Sequence, residues 1–125
     1  MNELTVEDLL ETIVQEDVRY SVDAYHFVRE GLDYTVKKLR KPRHVNGGEL
    51  LEGIREYALE EFGPISKRVL SEWGIHRCSD IGHIVFNLVH AGLLGKTDED
   101  SLADFEAGYD FNDAFLRPFQ PVKVH

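Results

Sequence analysis

The stretch VFNLVHAGLLGKTDEDSLADFEAGYDF, residues 85–111, decides the fold class. Just before and within it, Ile81, Ile84, Val85, Leu88 and Val89 recur at the three-and-four spacing of a helix's buried stripe. After Leu93 and Leu94 the period changes. Ala103, Phe105, Ala107, Tyr109 and Phe111 alternate with Asp104, Glu106, Gly108 and Asp110, the mark of a strand with one wet face. Asp98-Glu99-Asp100-Ser101 offers a turn, so Leu93–Thr97 is the expected partner strand. A helix that runs through LVHAGLL into a hairpin is the closing order of a winged helix.

Working outward, the segments before it read as helices. Thr5 with Asp8 three residues on is a helix start, followed by Val6, Leu9, Leu10, Ile13 and Val14 at helical spacing. From Ser21, the residues Val22, Tyr25, Val28, Leu32, Val36 and Leu39 step by three and four until Pro42 stops the run. Asn46 with Glu49 starts a third helix. Gly63-Pro64 makes a corner, and a fourth helix ends at Gly74-Ile75 in the Schellman manner. Ser79 is the expected cap of the fifth. The expectation is a single domain, 1–125, mostly α with a small β-hairpin. A winged-helix-like core over 47–111 is preceded by two N-terminal helices within 1–45. Residues 112–125 follow as an extended tail that opens with a short helical turn near Asn112–Leu116.

Composition bounds the function. The chain has 125 residues, one cysteine and a formal charge of −9. It is long enough to bury one core, and a lone Cys78 points to a reducing, cytoplasmic setting. No apolar run reaches membrane-spanning length, and the first residues are acidic where a signal peptide is basic, so neither membrane insertion nor secretion is expected. Charge is segregated. Residues 1–18 hold six acids and no base, residues 36–44 five bases and no acid, and residues 96–116 seven acids against Lys96 alone.

The stretches DYTVKKL, GGELLEGIREYALEEFGP, WGI and SDIGHIVFNLVHAGLLGKTDEDSLADFEAGYDFNDAF resemble a planctomycete and verrucomicrobial family of short conserved hypothetical bacterial proteins. The resemblance covers roughly residues 20 to 116. It implies a common fold and carries over no activity, ligand or catalytic residue.

Duplex DNA is a poor match for this sequence. Gripping it requires Lys or Arg on phosphates, and none lies between Arg77 and Lys96, while the fifth helix offers only Asn87 for base edges. Lys37, Lys38, Arg40, Lys41 and Arg43 form a basic segment suited to nucleic acid or another anion, with Tyr34 nearby for stacking. The competing reading is a solvated helix end, satisfied by its dipole and by acidic neighbours such as the first helix.

His76, Cys78, His83 and His90 invite a metal or hydrolase reading, but the HExxH and CxxC spacings are absent and no nucleophile has an obvious base. Asp98, Glu99, Asp100 and Asp104 do not fit the register of a calcium loop. His83, Asn87 and His90 share one side of the fifth helix, opposite its apolar stripe, and are expected to face outward. The sequence therefore predicts a non-enzymatic interaction module without cofactor. Its candidate surface is His83, Asn87 and His90 with the acidic wing at Asp98, Glu99 and Asp100, meeting a basic partner protein or a second copy. Anion binding through 37–43 and a small enzyme or metal protein built on the histidines are the alternatives.

Overall fold

The structure, a computed structural model, describes residues 4–41, 43–95, 103–106 and 108–121. Helix α1, Val6–Glu16, starts at a capping box: the Asp8 amide donates to Thr5 Oγ1 at 3.1 Å and the Thr5 amide to Asp8 Oδ2 at 3.0 Å. Helix α2 spans Val22–Lys37 and α3 Gly47–Phe62, the latter opened by the same device between Asn46 and Glu49. Gly63, at φ +54°, ends α3 and leads through a single 3-10 turn into α4, Ser66–Glu72. There the Ile75 amide reaches Leu70 O and the Gly74 amide Ser71 O, closing α4 as a Schellman motif with Gly74 at φ +94°.

The core forms where α2 and α3 cross. Both helices present a glycine at the contact: Gly31 faces Ile54, and Gly53 faces Thr35 so closely that a Cβ there would lie 1.7 Å from Thr35 Oγ1. Thr35 turns its hydroxyl back to Gly31 O at 2.7 Å, so it enters the core with its proton used. Around this crossing Phe27 meets Tyr57, Phe62 and Trp73 with ring centroids 5.4–5.7 Å apart. Helix α5, Cys78–His90, lies across α2 and buries Ile81, Ile84 and Leu88. From its first turn Asp80 reaches back, its Oδ2 accepting the amides of His76 and Arg77 just before the helix, and Arg77, not Ser79 as the sequence suggested, holds the cap position.

The winged-helix expectation is overturned beyond α5. Among the described residues there is no strand. The Leu93 amide returns to Leu88 O at 2.9 Å and the Gly92 amide to Val89 O at 3.0 Å, with Gly92 at φ +79°. LVHAGLL is thus a second Schellman stop, in which Leu93 is the apolar residue after the glycine and not the start of a wing. The proposed turn at 98–101 lies outside the described residues. Residues Ala103–Glu106 form one helical turn, α6, and Phe111–Phe115 a short helix, α7, capped by Asp110. A further 3-10 turn at Arg117–Phe119 replaces the start of the expected extended tail. The two-residue alternation that suggested a strand arises because Phe105 and Phe111 are anchors of two separate helical turns, joined through half-buried Tyr109.

Phe105 seats α6. Its ring and Cβ fill the space that a Cβ on Gly82 of α5 or Gly47 of α3 would need, at 2.8 and 3.3 Å. Phe86, half-buried on the flank of α5, meets the Phe105 ring edge-on at 6.4 Å. Tyr109 stacks on Phe111, Phe115 meets both rings edge-on, and the Tyr109 hydroxyl donates to Leu51 O at 2.8 Å.

Candidate functional site

Between α2 and α5 the surface folds inward into an apolar groove of about 350 Å³. Leu32 and Val36 form the α2 wall, Val85, Phe86 and Val89 the α5 wall, and Leu50 and Phe105 the floor, with Leu94 closing one end. Local sequence explains the shape. Val36 and Val89 lie at the edges of their helices' buried stripes, so they border the core without being covered by it. At the other margin the chain returns through Arg43, His44, Val45 and Asn46.

That margin is where the basic segment ends, and the structure divides the segment in two. Arg43 binds Glu49 with both guanidinium nitrogens, Nη1 at 2.8 Å from Oε1 and Nη2 at 2.5 Å from Oε2, and pulls the Glu49 carboxyl down to about 2. Lys38 pairs with Glu56 and stands 4.5 Å over the Tyr34 ring, whose hydroxyl is itself donated to Glu60 at 2.9 Å. The acids that neutralise this segment come from α3 and not from α1. Lys37, Arg40 and Lys41 are exposed and, among the described residues, have no ion-pair partner.

The histidine face is placed differently from expectation. The loop from Asp17 to Tyr20 folds over it. Asn87 Nδ2 donates to Asp17 Oδ2 and to the Tyr25 hydroxyl, each at 3.0 Å. Asp17 is gripped by Arg19 through Nε at 2.9 Å and Nη2 at 2.7 Å, which holds its carboxyl well below the usual carboxylate range. Tyr20 donates to Asp80 Oδ1 at 2.6 Å and lies 3.2 Å from His83 Nδ1, which Arg19 Nη1 approaches to 3.4 Å. Burial foremost, then the Asp80 carboxylate, pushes the Tyr20 phenol up. His83 and Asn87 are half-buried members of a network that ties α1 and α2 to α5, and His90 alone of the three is exposed. Asp98, Glu99 and Asp100, the rest of that candidate surface, lie outside the described residues.

Cys78 is buried, its thiol donating to Tyr109 O at 3.4 Å, and burial raises its pKa. Ser71 is the side chain His76 meets, at 3.4 Å, so the structure does not bring His76, Cys78, His83 and His90 together. Among the described residues no group of three or more His, Cys, Asp or Glu side chains could hold a metal ion, and no helix is long and apolar enough to cross a membrane. The groove itself escaped the sequence reading, because each wall residue belongs to an ordinary helical stripe. Compared with protein-family models, with curated proteins and with solved structures, the chain gives no match.

Proposed function

We propose that the chain is a non-enzymatic protein-interaction module whose contact surface is the groove between α2 and α5, occupied by an amphipathic helical segment of a partner protein. The observation that carries this is the groove's lining. Val36, Val85, Val89 and Leu94 present a continuous apolar trough at a water-facing margin, the geometry in which an apolar helix stripe docks. The reading moves the contact surface away from His83 and Asn87, whose polar atoms already serve the fold. Duplex DNA is not the partner under this reading, since α5 carries no Lys or Arg.

The test places a photoreactive residue at Val89 in the full chain, identifies the crosslinked segment and resynthesises it. The resynthesised segment should bind wild-type protein, and the Val36→Glu and Val89→Glu variants should lose it while keeping their helical circular dichroism. A segment that binds both variants as well as wild type would overturn the proposal.

A further inference from the structure

We infer that the groove selects an acidic amphipathic segment; this rests on the groove being the contact surface. Val36 lines it and is followed directly by Lys37, and Arg43 lines it at the other margin, so Lys37, Lys38, Arg40 and Lys41 belong to the short stretch of sequence between two of its lining residues. Two of the five cations of the margin are already neutralised from α3, Lys38 by Glu56 and Arg43 by Glu49. Lys37, Arg40 and Lys41 remain, exposed, in the sequence between two residues of the trough's lining. All three fall within residues 37–41, a local concentration of one charge sign where α2 ends. A helix whose apolar stripe fills the trough, with Glu or Asp along the flanking edge, would offset that charge and bury the valines together.

Range decides between such a segment and a nucleic acid. The protein as a whole is at −9, while charges at physiological salt act over about 8 Å. A short acidic helix feels the three local cations, whereas an extended polyanion also meets the acidic remainder of the molecule. Nucleic acid would also want a stacking platform, but the Tyr34 ring lies under Lys38 and its hydroxyl is held by Glu60. A second copy offers acidic amphipathic helices in α1 and α3, but each buries its apolar stripe in its own core, Leu10 and Ile13 in α1 and Leu50, Leu51 and Ile54 in α3. Docking either in trans would require undocking it in cis.

The experiment uses synthetic helical peptides of about 15 residues with one shared Leu stripe and either Glu or Lys at every other position. Affinity for the full chain is measured by fluorescence anisotropy, and contact by amide shifts at Val85, Val89 and Leu94. At about 0.05 M salt the Glu peptide should bind at least about tenfold more tightly than the Lys peptide, a gap that exposed ion pairs to three cations can supply. The gap should shrink to about twofold at ~0.5 M salt, and in a Lys37→Glu/Arg40→Glu/Lys41→Glu variant that retains its helical spectrum. Equal binding of both peptides through the groove would overturn the charge selection and leave the groove reading standing. Peptides that move no groove resonance would overturn the groove reading itself. Two further results would overturn the acidic-segment inference: a single-stranded RNA oligonucleotide that binds through the three cations without sensitivity to Val89→Glu, or a concentration-dependent dimer that shifts the groove without peptide.

Discussion

Asn87 donates its side-chain amide to Asp17 Oδ2 at 3.0 Å, across a sequence separation of 70 residues. The bond fastens the loop after α1 to the last turn of α5, and the same amide nitrogen also donates to the Tyr25 hydroxyl. Asn87→Ala is expected to cost about 1–2 kcal/mol in urea unfolding, because it takes from Asp17 Oδ2 the donor that ties it to α5, leaving only Arg19, and removes the amide that donates to the buried Tyr25 hydroxyl. A change below ~0.3 kcal/mol would show that the clasp contributes nothing measurable.

Acid should weaken the fold through carboxylates held below their ordinary range. Arg19 lowers Asp17, Arg43 brings Glu49 to about 2, and hydrogen bonds from the Thr5 backbone and side chain lower Asp8. Each is lower in the folded chain than in the unfolded one. Their contribution is therefore fully present above the unfolded values near pH 4 and is lost as pH falls through the folded values. Urea midpoints should be flat from pH 7 to about 5 and fall between about 4.5 and 2. Glu49→Gln should flatten part of that fall, by a small amount since Glu49 and Arg43 are substantially solvent-exposed. An identical slope in the variant would assign the acid sensitivity elsewhere.

Alanine usually stabilises a helix relative to glycine by about 1 kcal/mol. At Gly53 the sign should reverse, because the new Cβ would collide with Thr35 Oγ1 and force α2 from α3. Gly53→Ala is expected to cost about 2 kcal/mol or more, and adding Thr35→Ala should recover part of it as a positive coupling in a double-mutant cycle. Additive effects would mean that the helices do not approach here as described.

Phe105→Ala separates a docked α6 from a solvent-facing wing. The side chain is 3% exposed and sits in the notch at Gly47 and Gly82, so its removal should cost about 3–5 kcal/mol by urea or thermal unfolding. A strand residue on the margin of a hairpin would cost far less.

Gly92 and Gly95 should respond differently to alanine although neither would meet a neighbouring atom. Gly92 is held at φ +79° by the Schellman stop, so Gly92→Ala should lose about 1 kcal/mol, while Gly95→Ala should be close to neutral. Equal losses would shift the end of α5 away from Gly92.

Much of the helical frame was written locally. Thr5 with Asp8 and Asn46 with Glu49 each name a helix start by chemistry confined to four residues, and Gly74-Ile75 names a stop in two. Gly92-Leu93 obeys that same rule, and the alternation downstream outweighed it. Phe105, Tyr109 and Phe111 at even spacing look like one strand face, and only the notch formed by Gly47 and Gly82, on helices distant in sequence, makes them anchors of separate turns. The candidate site divides the same way. A cluster of cations is visible in the chain from Lys37 to Arg43, but which of them are neutralised depends on Glu49 and Glu56 on the next helix. The helical spacing of His83, Asn87 and His90 is real, yet their exposure is set by where the loop from Asp17 to Tyr20 comes to rest.

A helix of four residues cannot sustain itself, since a single turn fixes more backbone than its hydrogen bonds return. Segment 103–106 is ordered because one ring is wedged between α3 and α5, and it works as a gauge of the gap between them. Any sliding or spreading of those two helices must first eject the wedge, and with it the floor of the groove. The molecule's most local piece of structure is therefore an all-or-none reading of the spacing between two helices distant in sequence.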